Sequence, residues 1–129
     1  MMDLFATVVL TGGGDESVYI PVPCMGIVKG MTVACNANMV VAGTVKAYRG
    51  AAAVNTATAP VGDAAAGAVI VGVPDTTYKD YIFDPDSTTV ANKVIKVTDD
   101  ATLLAGAGTL AVWIQYDPSC AVTQAASEA

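Results

Sequence analysis

The sequence contains no histidine. That removes imidazole general acid–base catalysis, Ser-His-Asp and Cys-His nucleophile pairs, and every metal site built on histidine. Charge is scarce too, at 14% of residues against the quarter of an ordinary soluble chain, and aromatics supply only 6%. Six basic residues stand against twelve acidic ones, a net charge of −6 that argues against non-specific binding to nucleic acid or anionic lipid. No apolar stretch reaches the roughly 20 residues a membrane span requires; Gly30–Val45 and Ala101–Tyr116 are interrupted by Asn, Gly or Thr. The apolar start Leu4–Leu10 lacks a positive flank, carries Asp3 just before it and stops at Gly12-Gly13-Gly14, so it reads as a strand rather than a signal peptide.

What is present is small and β-branched. Ala (23) and Val (19) dominate a chain that is 53% apolar, far too hydrophobic for disorder. Its 129 residues suit one domain, 1–129, large enough for a full core without staples. Three cysteines, Cys24, Cys35 and Cys120, have no metal-like spacing and read as reduced apolar fillers; a Cys24–Cys35 bridge requires the two to face each other across strands. Synthesis in a reducing cytoplasm fits them.

Period-2 alternation dominates the pattern. Strands are expected at Leu4–Leu10, Ser17–Val22, Cys24–Cys35, Met39–Tyr48, Ala68–Val73, Tyr78–Phe83, Val90–Thr98 and Thr109–Tyr116, separated by Gly, Pro, Asn and Asp clusters. Pro21 and Pro23 put the second at an edge or bend. In the last, Leu110, Val112, Ile114 and Tyr116 share one face, leaving Trp113 on the other. A one-residue bulge would exchange the faces and make Trp113 core; without one, its face is covered by a loop or a neighbouring chain. Residues 50–67 read as a long low-charge loop in which Pro60 and Gly62 interrupt alanine's helical preference, and 117–129 as a C-terminal arm. About eight antiparallel strands with little helix indicate an all-β, jelly-roll-type sandwich. An immunoglobulin-like sandwich is the runner-up, through Cys35, Trp113 and Cys120, at the wrong spacing.

Candidate chemistry is thin. Thr11–Asp15 is glycine-rich, but neither a Gly-Lys-Ser/Thr nor a helix follows to cradle a phosphate. Asp75, Asp80, Asp84 and Asp86 form an acidic cluster in which Asp84 and Asp86 are a weak Ca²⁺ candidate; Asp84-Pro85-Asp86-Ser87 is equally a type I turn, and Asp99-Asp100 a hairpin turn. Asp86-Ser87-Thr88 lacks the glycine of an aspartic-protease triplet, and nothing local supports a Ser–Lys dyad at Ser17, Ser87 or Ser119. No catalytic residue and no cofactor are expected. Tyr78, Tyr81 and Phe83 lie close together, and amphipathic aromatics suit wet interfaces.

The stretch Val18-Tyr19-Ile20-Pro21-Val22-Pro23, the Ala/Thr/Gly-rich middle and the closing Val94–Asp100 and Gly106–Ile114 resemble the jelly-roll decoration, or cement, proteins of tailed-bacteriophage capsids. The resemblance implies a structural virion protein on the capsid surface that clamps the major capsid protein, self-associates with a trimer favoured, and has no catalytic residues, membrane or nucleic acid to engage. On that reading the interface candidates are Leu4, Phe5, Val54, Pro60, Tyr78, Tyr81, Trp113 and Val122. Two alternatives remain: a carbohydrate-binding sandwich using Tyr78, Tyr81 or Trp113 as stacking platforms, and a head- or tail-fibre component.

Overall fold

The structure is a computed structural model that describes residues 1–10, 16–39, 43–58, 65–99 and 108–118. Among them are nine strands: β1 (Met2–Leu10), β2 (Ser17–Pro21), β3 (Ile27–Cys35), β4 (Thr44–Arg49), β5 (Ala52–Thr58), β6 (Val69–Val71), β7 (Val73–Pro74), β8 (Val94–Asp99) and β9 (Gly108–Asp117). Two antiparallel sheets, ordered β1-β9-β3-β6 and β2-β8-β4-β5-β7, pack face to face. The pairing is nested: β1 with β9, β2 with β8, β3 with β6, β4 with β5. Without the two-residue β7, this is the jelly roll expected from the sequence, two four-stranded sheets wound from one folded ribbon. An immunoglobulin strand order does not match it.

Alternation places the core. Val8 and Leu10 of β1, Met31, Val33 and Cys35 of β3, Ile95 and Val97 of β8, and Leu110, Val112, Ile114 and Tyr116 of β9 are all buried between the sheets. Phe83 meets Tyr116 edge-on, with ring centroids 6.4 Å apart, and the Tyr116 hydroxyl donates to the Cys24 carbonyl at 2.6 Å. The bulge lies on β3, where pairing slips between Val28 and Gly30, and not on β9. The faces of β9 therefore do not exchange, and Trp113 stays outside the core.

Several expectations are corrected. Residues 50–67 are not one irregular loop: Gly50, at φ +63°, opens a two-residue hairpin, and β5 then pairs with β4 along its length. Val54 and Ala57 turn into the core, and cross-strand pairing overrides alanine's local propensity. Tyr78–Phe83 is not a strand. The Asp75 carboxylate accepts from the Thr77 amide (3.1 Å) and hydroxyl (2.7 Å), which diverts the backbone into a 3₁₀ turn at Tyr78–Asp80. A second 3₁₀ turn, Val90–Asn92, delays β8 to Val94. The expected Ala68–Val73 strand divides at Gly72, whose amide donates to the Met31 carbonyl at 2.6 Å as the chain crosses from one sheet to the other. Cys24 and Cys35 are both free thiols, and Cys120 lies outside the described residues.

Candidate functional site

Registers across the four-stranded sheet align its outward side chains into rows. Phe5 stands opposite Trp113, Trp113 opposite Thr32, and Thr32 opposite Val71. The next row is Thr7, Ala111, Ala34 and Val69. Phe5 is 72% exposed, Val71 73% and Val69 63%, and Val9 further along β1 is exposed as well. Phe5 and Trp113 stack with 11° between their ring planes. The one carboxylate in these rows' surroundings on β1, Asp3, accepts from the Trp113 indole N–H at 3.0 Å, so the indole's polar atom is satisfied without water. The result is an apolar face, open to solvent, on a sheet whose other face is core. Exposed apolar surface of this kind usually marks a contact with another macromolecule.

The five-stranded sheet presents different chemistry outward. Tyr19, Lys96 and Tyr48 form one row, and Ser17, Thr98, Lys46 and Thr56 the next. Lys96 lies over the Tyr48 ring, 5.8 Å from its centroid, and the hydroxyls of Ser17 and Thr98 are hydrogen-bonded at 2.8 Å. One outer face is therefore predominantly apolar and the other cationic and hydroxylated.

The interface candidates divide. Phe5 and Trp113 come together as described. Leu4 points the other way, against the core. Val54 is corrected outright: at 1% exposure it is a core residue, turned inward by the pairing of β5 with β4. Tyr78 and Tyr81 belong to the 3₁₀ segment and are half-buried. The Tyr81 ring lies under the Arg49 guanidinium at 5.1 Å, and Tyr78 lies near the Lys79 ammonium at 5.9 Å. Neither ring contacts Trp113, whose aromatic partner is Phe5. Pro60 and Val122 lie outside the described residues. Sequence reasoning missed Thr32, Val69 and Val71; the alternation of β6 was legible, but its pairing with β3 was not.

Asp84 and Asp86 form a turn. The Asp84 carboxylate accepts from the Asp86 amide at 2.9 Å, and its carbonyl accepts from the Ser87 amide at 3.1 Å. The Thr77 hydroxyl and amide hold the Asp75 carboxyl below its usual range, and burial raises the Cys35 thiol. Among the described residues no three Cys, Asp or Glu side chains converge as metal ligands, no cavity opens, and no helix is long and apolar enough to cross a membrane. The chain matches no family model, no curated protein and no solved structure.

Proposed function

We propose that this is a structural protein acting through contact between polypeptides, with the outer face of the four-stranded sheet as its docking surface. One observation carries the reading: the Phe5–Trp113–Thr32–Val71 row, which crosses all four strands with apolar side chains on three of them and is exposed at both ends. The setting that fits this surface and the sequence resemblance is the outside of a tailed-phage capsid. There the partners are the major capsid protein and further copies of the chain, with a trimer favoured. A small-residue jelly roll with one face poor in charge suits a role in which surface is buried rather than chemistry performed.

The test is sedimentation of the purified chain with decoration-free capsids. Stoichiometric binding is expected, and Phe5→Lys with Val71→Lys should abolish it while leaving the fold intact, since both side chains are exposed. A chain that stays in the supernatant contradicts the capsid setting. The exposed Phe5 ring beside Trp113 also offers a surface on which a sugar could stack, so a glycan array run in parallel addresses the carbohydrate-binding alternative.

A further inference from the structure

Each sheet ends in two edge strands: β1 and β6 flank the four-stranded sheet, β2 and β7 the five-stranded one. Three of these edges are blunted in the ordinary ways. β6 has three residues and β7 two, the last of them Pro74, while β2 has five and closes at Pro21. β1 is different. It is nine residues long and pairs with β9 at every position, with no slip in register. It contains no proline, lysine or arginine, and its one charged side chain, Asp3, accepts from the Trp113 indole. An antiparallel strand turns the N–H and C=O groups of alternate residues to opposite sides. On the side of β1 away from β9, these groups meet no backbone partner among the described residues. The inner side chains of β1 are also unevenly covered. Val8 and Leu10 are buried, whereas Leu4 and Ala6 are half-buried and Met2 is 37% exposed.

A long, regular edge with little charge is a template for another strand. We propose that β1 pairs antiparallel with β1 of a second copy of this chain, about a two-fold axis, joining two four-stranded sheets into one of eight strands. The strand is complementary to itself. Full overlap of Met2–Leu10 with its mate sets the small Ala6 on the axis and keeps inner side chains beside inner ones. Leu4 then lies beside Val8 of the second copy and Met2 beside its Leu10, so the half-covered end of each inner row gains the apolar residues of the other. Asp3 falls beside Val9 of the second copy, at the opposite end of the joined strands from the other Asp3. Each chain carries a net charge of −6, so association is favoured only where the facing strands bring no like charges together, and this edge brings none. A parallel pairing would gather both Asp3 carboxylates at one end. The contact is isologous and closes at two copies. It is distinct from the outer face assigned to the capsid and from the three-copy association there, and its test needs neither.

The test is sedimentation equilibrium of the full chain in reducing buffer, with Thr7→Lys as the variant. Thr7 is exposed on the outer side of β1, so the substitution leaves the fold of the single chain intact. In the paired strands it sets two ammonium groups diagonally across the axis. The parent chain should sediment as a dimer, and Thr7→Lys should weaken that dimer about tenfold or more. A second measurement reads the register. Ala6→Cys, treated with diamide, should form a disulfide-linked dimer beyond any formed by the parent chain. Val69→Cys, exposed on the opposite edge of the same sheet, should not. A monomer at millimolar concentration overturns the proposal, and so does a trimer or any association that Thr7→Lys leaves unchanged. Cross-linking through Val69→Cys in place of Ala6→Cys overturns it as well.

Discussion

Phe5 and Trp113 are cross-strand partners on the outside of the sandwich, with ring centroids 6.4 Å apart and nearly parallel planes. The pair stabilises the β1–β9 contact and also forms the centre of the apolar face, and the two roles separate energetically. A cross-strand aromatic pair contributes roughly 0.5–1 kcal/mol. Phe5→Ala should therefore lower the free energy of urea unfolding by about 1 kcal/mol or less, yet cost at least about tenfold in capsid affinity if the ring anchors the interface. A large stability loss with unchanged binding would mean that the ring serves only the fold.

Asp99 makes stability depend on pH in a direction opposite to most carboxylates. Burial and the neighbouring Glu16 carboxyl raise its folded-state value to about 6, above the unfolded one, so the folded chain binds the proton more tightly. The stabilisation is fully present below the usual carboxylate range and is lost as pH rises through about 6. Between pH 4 and pH 8 the parent chain should lose on the order of 2–3 kcal/mol relative to Asp99→Asn. Asp75, held low by Thr77, contributes with the opposite sign, so the difference between the two proteins, measured by denaturant titration across that window, is the quantity to follow.

Gly72 marks the crossing between the sheets, and its lack of a side chain is required by space. A Cβ there would lie 2.4 Å from Asn55 Oδ1 and 2.9 Å from both the Met31 and Thr56 carbonyl oxygens. Two of those three atoms are backbone and cannot swing aside. Gly72→Ala should destabilise by about 1–3 kcal/mol, read as a lowered Tm. An unchanged Tm would show that the crossing is looser than the contacts imply.

Tyr116 is fully buried, with its hydroxyl on the Cys24 carbonyl. Tyr116→Phe keeps the ring against Phe83 and loses the bond, at about 1 kcal/mol, whereas Tyr116→Ala empties the site at about 3–5 kcal/mol. Equal losses in the two variants would place the energy in the hydrogen bond rather than in the packing.

These residues also show what the sequence made legible. Tyr116, Ile114, Val112 and Leu110 were readable as core from alternation alone, because β9 runs without a bulge. Counting such stretches was enough to expect a jelly-roll sandwich. The hairpin at Gly50 was not legible, since alanine carries little strand signal and β5 exists through its ladder to β4. Nor was the turn at Tyr78–Asp80, where the Asp75 side chain outcompetes an aromatic pattern typical of a strand. The docking face was half visible. Phe5 and Trp113 stood out by residue type, while Thr32, Val69 and Val71 join them through registers that only the folded chain defines. Asp99 looked like an ordinary turn residue because nothing local announces that its carboxylate points inward beside Glu16.

The central claim concerns which face is covered by another polypeptide, and hydroxyl-radical footprinting measures that directly. Labelling is compared between the purified chain and the chain bound to capsids, with the cationic face as the internal reference. Phe5 and Trp113 should lose most of their reactivity on assembly, while Tyr19 and Tyr48 on the opposite sheet keep theirs. Unchanged labelling of Phe5 and Trp113 in the bound state, or protection confined to Tyr19 and Tyr48, would contradict the account.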